Sequence, residues 1–309
     1  MRCTSPRTVG FSDDGRTLSW SQKSYSKEYS TFQLPCGKCI ACRLERGRQW
    51  AVRATHEASI HPSNSFVTLT YSDDGLVSDR LIYAHFQSFM KDLRSSLDYQ
   101  GVEHQIGVMA VGEYGEQRKR PHFHACLFGW RPHDAVYKYT SDRGDKVFES
   151  SFLSEIWDRG IAEFGDVTFD SAGYCARYSA KKLVHGKDHE HEFNPIFRVS
   201  SKYAIGKRWL ERFWPDIFNY GKCTVHKGAE IIETGIPRYY EKWFKENHPD
   251  KYLRYLSEVK GPMMLKAQER EARDLVGRLR DGGFSDSKNK TEAAILNYNF
   301  NRLQDRLKL

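Results

Sequence analysis

The sequence lacks any long apolar run, and this absence limits where the protein resides. No stretch of the 309 residues approaches the roughly 20 consecutive apolar residues that a membrane-spanning helix needs. The opening residues 1–6 contain no apolar segment of the kind that forms the centre of a signal peptide. These two absences argue against an integral membrane protein and predict a cytosolic one.

Two further patterns are missing. The sequence contains no GxxxxGK[ST] motif, the loop with which many ATPases and GTPases hold phosphates. It also has no internal repeat and no long low-complexity linker. The chain is therefore expected to be globular and to do its chemistry without a P-loop.

The seven cysteines do not form an even set, and three of them lie at the spacing Cys36-x-x-Cys39-x-x-Cys42. In a reducing compartment this pattern argues against a disulfide framework. Thiolate ligation of a structural Zn²⁺ is the alternative, because such sites take four sulfur or nitrogen ligands in a tetrahedron. Cys3 is the candidate for the fourth ligand, and zinc binding and free thiols both stay open.

The charge balance favours a polyanionic partner. The formal net charge is +8, and 14% of the residues are aromatic and interspersed with the basic ones. Cations that contact phosphates and rings that stack on bases are typical of proteins that bind single-stranded nucleic acid. A basic protein without such a partner has the same composition, so the charge alone does not decide.

A pair of histidines points to a metal site. Residues 121–130 are predicted to form a strand, on which His122 and His124 project from the same face. The strand predicted at 105–114 precedes it, and the polar turn 115–120 between them favours a hairpin. The hairpin brings an acidic side chain beside the histidines, and Glu113 is predicted as the third ligand, with Glu116 in the turn as the second choice. The alternatives are hydrogen-bonded core histidines and the zinc site of an unrelated hydrolase.

A later segment adds a candidate nucleophile. Tyr174 and Tyr178 are four residues apart, so on a helix both phenols share one face, and Lys181 and Lys182 follow one turn later. Tyrosines at this spacing are more often packing residues. Beside a His-x-His pair, however, they suggest phosphodiester chemistry through a tyrosine nucleophile.

The rest of the chain supports an α+β fold with an antiparallel sheet. A short strand is predicted at 17–20, and a helix from the cysteine cluster to about His61. Further predictions are a strand at 65–71, a helix at 81–97, a polar loop at 139–148, a helix at 152–158 and a strand at 167–169. The polar stretch 185–192 is interpreted as a solvated loop, and 293–309 as a basic amphipathic helix that packs on the core, binds DNA or binds a partner.

Several motifs resemble one known family. They are Leu34–Arg43, Phe66–Tyr71, Gly112–Gly115, Arg120–Gly129, Gly173–Lys182 and Ala204–Gly206. In this order they are similar to the HUH endonucleases, in which two histidines flank an apolar residue, here Phe123, and one or two tyrosines lie on a later helix. Within that superfamily the chain resembles the replication initiators of the Microviridae, above all their gokushovirus branch. The resemblance covers about the first two thirds of the chain.

The resemblance implies an architecture: a central antiparallel sheet that carries the histidines, flanked by helices, with the tyrosine helix packed across its face. It implies three regions. Residues 1–64 form an N-terminal segment with the cysteines and a basic helix packed on the core, 65–215 the endonuclease core, and 216–309 a basic, mainly helical C-terminal extension.

The resemblance also implies a reaction. His122, His124 and Glu113 hold Mg²⁺ or Mn²⁺, and Tyr174 or Tyr178 attacks the scissile phosphate to leave a free 3′ hydroxyl and a covalent 5′-phosphotyrosine. Lys181 and Lys182 neutralise charge on the phosphate, with Lys182 preferred. The second tyrosine allows a second cleavage, after which rejoining releases circular single-stranded DNA.

The partners implied are single-stranded and supercoiled viral origin DNA, together with a host helicase and DNA polymerase, in the cytoplasm of the host bacterium and away from any membrane. A transposase or mobilisation relaxase of the same chemistry remains an alternative. So do a metal-dependent hydrolase that uses water, and a non-catalytic single-stranded DNA-binding protein.

Overall fold

The structure is a computed structural model, and it describes residues 3–115, 119–181, 195–202, 204–280 and 295. The chain divides into two compact units. One is Gly47–Gln268, and the other combines Met1–Arg46 with Glu269–Leu309. The segment 185–192 lies outside the described residues, as does the predicted C-terminal helix 293–309 apart from Ile295.

The described strands, numbered in chain order, are β1 Arg7–Phe11, β2 Leu18–Ser19, β3 Phe32–Leu34, β4 Asn64–Tyr71, β5 Gly107–Tyr114, β6 Pro121–Phe128, β7 Val136–Thr140, β8 Lys146–Glu149, β9 Gly160–Gly165, β10 Ile196–Val199, β11 Cys223–Lys227 and β12 Glu230–Thr234. The described α-helices are α1 Ile40–Ser59, α2 Tyr83–Tyr99, α3 Ser151–Ile156, α4 Phe169–Lys181, α5 Lys207–Tyr220, α6 Arg238–Asn247, α7 Pro249–Arg254 and α8 Gly261–Arg280. A 3₁₀ turn spans Gln22–Ser24, and a π-helical segment, Tyr255–Lys260, connects α7 to α8. None of these helices is long and apolar enough to cross a membrane.

The N-terminal part of the smaller unit is a short antiparallel sheet in the order β2-β1-β3. Its β2 lies within the strand predicted at 17–20. The rings of Phe11 and Phe32 pack 5.5 Å apart between centroids. The cysteine cluster follows β3, and α1 begins directly after Cys39, as the sequence predicted.

The larger unit is built on an antiparallel sheet whose seven described strands run in the order β10-β5-β6-β4-β9-β8-β7. The α+β fold with an antiparallel sheet is therefore confirmed. The predicted strands at 65–71, 105–114 and 121–130 are present as β4, β5 and β6. The predicted hairpin between β5 and β6 is present too, with Glu113 paired to His122.

One face of this sheet carries the main apolar core. Strand alternation turns Val67 and Leu69 of β4 and Phe123 of β6 to this side, where α2 covers them with Phe86 and Leu93. All five side chains are almost fully buried. At about 1.5–3 kcal/mol for each buried apolar side chain, this layer fixes the sheet on which the opposite face is built.

The opposite face is covered by α4 and by residues of α1. Met109 and Val111 of β5 and Cys126 of β6 lie here, under Ala172 and Cys175 of α4. Small side chains on α4 let the helix approach the sheet closely. His122, His124 and Glu113 share this face, because each is an even number of residues away from one of these core positions.

The C-terminal half of the larger unit has its own core. Here α5, α6 and the β11–β12 hairpin pack around Phe218, Tyr240 and Phe244. His56 of α1 reaches into this core, where its ring stacks on Trp209 with 3.5 Å between centroids. Its Nε2–H donates to the carbonyl of Thr224 over 2.9 Å, and its Nδ1 lies 3.1 Å from the Tyr240 hydroxyl.

Gly206, in the motif Ala204–Gly206, has a structural explanation. It begins α5 with φ +79°, and a Cβ there would collide with the Tyr240 hydroxyl. Its N–H donates to Glu57 Oε2 over 2.6 Å. Only glycine fits this position without strain, so the motif ties α1 to the start of α5.

Two secondary-structure predictions were wrong. Residues 139–148, predicted as a polar loop, belong to the β7–β8 hairpin, because the alternating segment Val136–Thr140 continues into a tight turn in which Ser141 N–H donates to the carbonyl of Asp145. The segment 167–169, predicted as a strand, instead begins α4. Thr168 and Ser171 cap that helix by exchanging backbone-to-hydroxyl hydrogen bonds of 2.7 and 3.1 Å. The strand of this region is β9.

Candidate functional site

Two neighbouring strands place the predicted metal ligands. The β5–β6 register sets Glu113 opposite His122 and Val111 opposite His124. Paired residues of an antiparallel ladder lie about 5 Å apart and their side chains leave the same face of the sheet. The hairpin alone thus brings one carboxylate and two imidazoles to a single place.

The three side chains converge on one oxygen. Glu113 Oε1 lies 3.1 Å from His122 Nε2 and 3.0 Å from His124 Nε2. Adjacent ligands of an octahedral ion bound at about 2.1 Å are about 3.0 Å apart, so these separations suit a small divalent cation. The side chains of Glu113, His122 and His124 are 7%, 18% and 13% exposed. The group is therefore shielded but still reachable from solvent.

Hydrogen bonds on the far side of each imidazole orient it. His122 Nδ1–H donates to the carbonyl of Arg120 over 3.2 Å, and His124 Nδ1 lies 3.0 Å from Thr68 Oγ1. A proton on Nδ1 leaves the lone pair of a neutral imidazole on Nε2. The lone pair of His122 then faces a carboxylate oxygen, an arrangement that is stable only with a cation, a proton or a metal ion, between them.

Glu113 stays ionised although it is buried. Burial alone disfavours the charged carboxylate, but the contacts from His122 and His124 outweigh it and hold the pKa of Glu113 far below its usual range. Burial also lowers the pKa of His124, against the opposing effect of Glu113. A charged carboxylate beside a neutral imidazole is the protonation state that metal ligation requires.

Tyr174 of α4 completes the group. Its hydroxyl donates a hydrogen bond to Glu113 Oε1, and its ring packs edge-on against His124 with 5.0 Å between centroids. Burial, followed by the negative charge of Glu113, raises the pKa of Tyr174 well above its usual value. Arg177, one turn further along α4, has its Cζ 5.0 Å from the Tyr174 ring centroid and opposes that rise.

Not every predicted site residue can be placed. Tyr178 lies on α4 one turn after Tyr174, and Lys181 is the last residue of α4, but their side chains are not described. Lys182 and Glu116 lie outside the described residues.

The four cysteines predicted to act together do converge. The ligand atoms of Cys3, Cys36, Cys39 and Cys42 lie within 4.8 Å of one another. Among the described residues this cluster and the group Glu113, His122 and His124 are the two sets of side chains that could hold a metal ion.

Comparison with known proteins places the chain in a family. Residues 64–183 match the family of the replication-associated protein ORF2. Over the full length of both proteins, the chain is 40% identical to replication-associated protein VP4 of Bdellovibrio phage phiMH2K. The chain belongs to the phage replication-associated proteins.

Other members support this membership. Replication-associated protein ORF2 of Spiroplasma virus 4 is 32% identical over 73% of this chain and 72% of its own length. Replication-associated protein ORF4 of Chlamydia phage 1 is 39% identical over 70% of this chain and 54% of its own length. The resemblance to Microviridae replication initiators is thus confirmed. No solved structure matches the chain.

Two residues of this replication-associated protein contact the site without having been assigned a role from the sequence. Thr68 orients His124, and Arg177 lies over the ring of Tyr174. Alternation along β4 gave a signal for Thr68, since a polar residue points inward between Phe66 and Thr70. For Arg177 the signal was its i+3 spacing from Tyr174.

Proposed function

We propose that this protein initiates phage replication by nicking one strand of the viral origin through metal-dependent tyrosine transesterification. The observation that carries the proposal is the convergence of the Tyr174 hydroxyl, His122 Nε2 and His124 Nε2 on one oxygen of Glu113. A nucleophile and three ligands for a divalent cation are the parts that this reaction needs, and they lie within one hydrogen-bonded group.

Glu113, His122 and His124 are the residues that hold Mg²⁺ or Mn²⁺. Two imidazoles and a carboxylate favour Mn²⁺ in affinity, whereas cellular abundance favours Mg²⁺. When bound, the ion acts as a Lewis acid that polarises the scissile phosphate. The carbonyl of Arg120 and the hydroxyl of Thr68 keep the two imidazoles turned toward the ion.

Tyr174 is the nucleophile of the first step. Its oxygen forms a bond to phosphorus while the bond from phosphorus to the 3′ oxygen breaks. The phenol proton is lost, and the leaving 3′ oxygen takes up a proton. The products are a free 3′ hydroxyl and a 5′-phosphotyrosine. Arg177 places a positive charge beside the developing phenolate.

Tyr178 acts in the second half of the cycle. It cleaves the regenerated origin while Tyr174 still holds the 5′ end, and the released 3′ hydroxyl attacks the first phosphotyrosine to close a circle. The phosphotyrosine preserves the energy of the phosphodiester, so rejoining needs no ATP. Lys181 and Lys182 follow on the chain and neutralise phosphate charge, with Lys182 preferred.

The substrate is single-stranded or supercoiled viral origin DNA, in keeping with a net charge of +8. The endonuclease core is 65–215, while 1–64 and the basic region 216–309 are accessory. A host helicase unwinds the duplex and a host DNA polymerase extends the 3′ end, in the cytoplasm of the host bacterium.

The deciding experiment incubates the full chain with 5′- or 3′-labelled single-stranded origin DNA, with Mn²⁺ or with EDTA, and resolves the products on a denaturing gel. We expect a Mn²⁺-dependent, protease-sensitive shift of the strand that carries the new 5′ end. Tyr174→Phe with Tyr178→Phe removes both phenol oxygens at little change in volume, so the shift must disappear in the double variant.

Other outcomes identify the competing functions. Metal-dependent cleavage without a covalent shift indicates a nuclease that uses water. Binding without cleavage, unaffected by EDTA, indicates a single-stranded DNA-binding protein. A covalent product formed only on a transposon end or a transfer origin, and not on the phage origin, indicates a transposase or relaxase of the same chemistry. Each of these three results contradicts the proposed function.

A further inference from the structure

The second cluster of metal-ligating side chains lies in the smaller unit and takes no part in the nicking chemistry. The cysteines come from a loop before β1 (Cys3), the turn after β3 (Cys36, Cys39) and the first turn of α1 (Cys42). Their thiols are partly exposed, and none is in a disulfide. We propose that Cys3, Cys36, Cys39 and Cys42 bind one structural Zn²⁺ ion.

The sulfur geometry suits a tetrahedral ion. The Sγ atoms of Cys3 and Cys39 are 3.7 Å apart. Four ligands at the usual Zn–S length of about 2.3 Å are separated by about 3.8 Å along the edges of a tetrahedron. A disulfide needs sulfurs about 2.05 Å apart, so the observed separation fits ligation and not a covalent bond.

Backbone N–H groups surround the sulfurs as they do in thiolate sites. Cys36 N–H points to Cys3 Sγ over 3.3 Å, and the N–H groups of Lys38 and Cys39 point to Cys36 Sγ over 3.4 and 3.3 Å. Gly37 makes this tight turn possible with φ +72°. Such donors stabilise negative sulfur, the form in which cysteine binds a metal.

The start of α1 adds to this stabilisation. Cys39 immediately precedes the helix and Cys42 lies in its first turn. The N-terminal end of a helix carries a partial positive charge, which favours thiolates placed there. Four thiolates around a divalent ion leave a net negative charge, so this position suits the complex.

The ligand set selects the ion and its role. Four sulfurs in a tetrahedron select zinc over the hard ions Mg²⁺ and Mn²⁺. Four protein ligands leave no position for water or substrate, and closed sites of this kind are structural. The ion ties residue 3 to the beginning of α1, so it closes the segment that contains β1, β2 and β3.

The remaining cysteines provide matched controls. Cys126, Cys175 and Cys223 are buried in the apolar cores of the larger unit. Cys223 packs among apolar side chains away from Glu113, so Cys223→Ala removes a thiol without touching either cluster. His122→Ala with His124→Ala removes the other candidate ligands.

The test is the metal content of the full chain, purified without chelator and measured by plasma mass spectrometry. We expect one zinc per chain in the wild type, in Cys223→Ala and in the double histidine variant. Cys36→Ser and Cys39→Ser each lose most of it. X-ray absorption at the zinc edge of the wild type gives four sulfur neighbours at about 2.3 Å.

Three results overturn the assignment. Nitrogen or oxygen neighbours at about 2.0–2.1 Å, with zinc lost from the histidine variant, place the ion at Glu113 instead. Stoichiometric iron in place of zinc contradicts the identity of the ion. Disulfides among the four cysteines, found by alkylation and mass spectrometry under reducing preparation, contradict the site. If the serine variants do not fold, the wild-type absorption spectrum and zinc-dependent protection of the four thiols from alkylation still decide.

Discussion

The two candidate metal clusters of this protein differ in ligand chemistry, and the difference separates two kinds of task. Glu113, His122 and His124 stand on paired strands of a packed sheet and offer nitrogen and oxygen to an ion. The cysteine cluster stands on a turn and a helix start and offers four sulfurs. Three ligands leave open positions for a phosphate, whereas four thiolates close the coordination shell. The comparison teaches that ligand number and softness, more than burial, distinguish a reactive centre from a structural one.

The strongest way to test this contrast is to remove the imidazoles. His122→Ala with His124→Ala should lower the nicking rate at least about 1,000-fold, or about 4 kcal/mol, because the Lewis acid loses two of its three protein ligands. Single-turnover nicking of origin DNA measures the loss. Zinc content should stay at one per chain.

The reciprocal variant is the control. Cys36→Ser should lose zinc while the folded fraction still binds Mn²⁺, as measured by electron paramagnetic resonance. If either variant empties both clusters, the two do not act independently and the comparison fails.

The next largest effect should separate the two tyrosines. Tyr174→Phe should slow the first cleavage at least about 100-fold, or about 2.7 kcal/mol, because only Tyr174 is seen in contact with Glu113. Tyr178→Phe should leave the first cleavage nearly unchanged and reduce the yield of rejoined circles. Burst-phase adduct formation on a labelled oligonucleotide measures the first step. Equal slowing in both variants would show that either phenol can act first.

A smaller effect should come from the hydroxyl that orients His124. Thr68→Val keeps the shape of the side chain but removes the 3.0 Å contact with His124 Nδ1. We expect metal affinity to fall about 10-fold, as for other residues that support a ligand. Titration of nicking against Mn²⁺ measures the change, and Thr68→Ser should restore it. An unchanged metal requirement in Thr68→Val would remove Thr68 from the site.

The smallest effect on nicking should come from a histidine that binds no metal. Burial lowers the pKa of His56 to about 4, while its two nitrogens are bonded inside the protein. The unfolded chain takes up a proton near pH 6.5, but the folded protein resists it, so the free energy of unfolding falls as pH drops from 6.5 toward 4. The loss is about 3 kcal/mol.

Urea denaturation across this pH range measures the loss. His56→Gln keeps an amide donor and acceptor but does not titrate, and it should show a shallower pH dependence than the wild type. Nicking at neutral pH should be the same in both. Parallel pH curves would mean that His56 contributes nothing to acid sensitivity.

Much of the site could be predicted from the sequence because its signals are local. Two-residue periodicity placed His122 and His124 on one face, and a short polar turn predicted the hairpin that brings Glu113 to them. The same short spacing identified Cys36, Cys39 and Cys42. The α+β fold followed from the mixture of strand and helix patterns.

The parts that could not be predicted depend on contacts between distant residues or on ambiguous local chemistry. Val136–Thr140 carries charge and a polar turn follows it, so its pairing with β8 becomes visible only beside β9. Thr168 is a β-branched residue that fits a strand as well as a helix cap. The approach of Tyr174 to Glu113 depends on how α4 packs on the sheet, and periodicity carries no information about it.

The β5–β6 hairpin also has a consequence for the order in which the protein folds. Glu113 and His122 are separated by 9 residues, whereas Glu113 and Tyr174 are separated by 61. Closing a short loop costs less chain entropy, and local contacts form sooner than distant ones. During synthesis the hairpin also leaves the ribosome before α4 does. The ligand half of the site therefore assembles before the nucleophile arrives, and a chain interrupted between them holds the ion without being able to cut DNA.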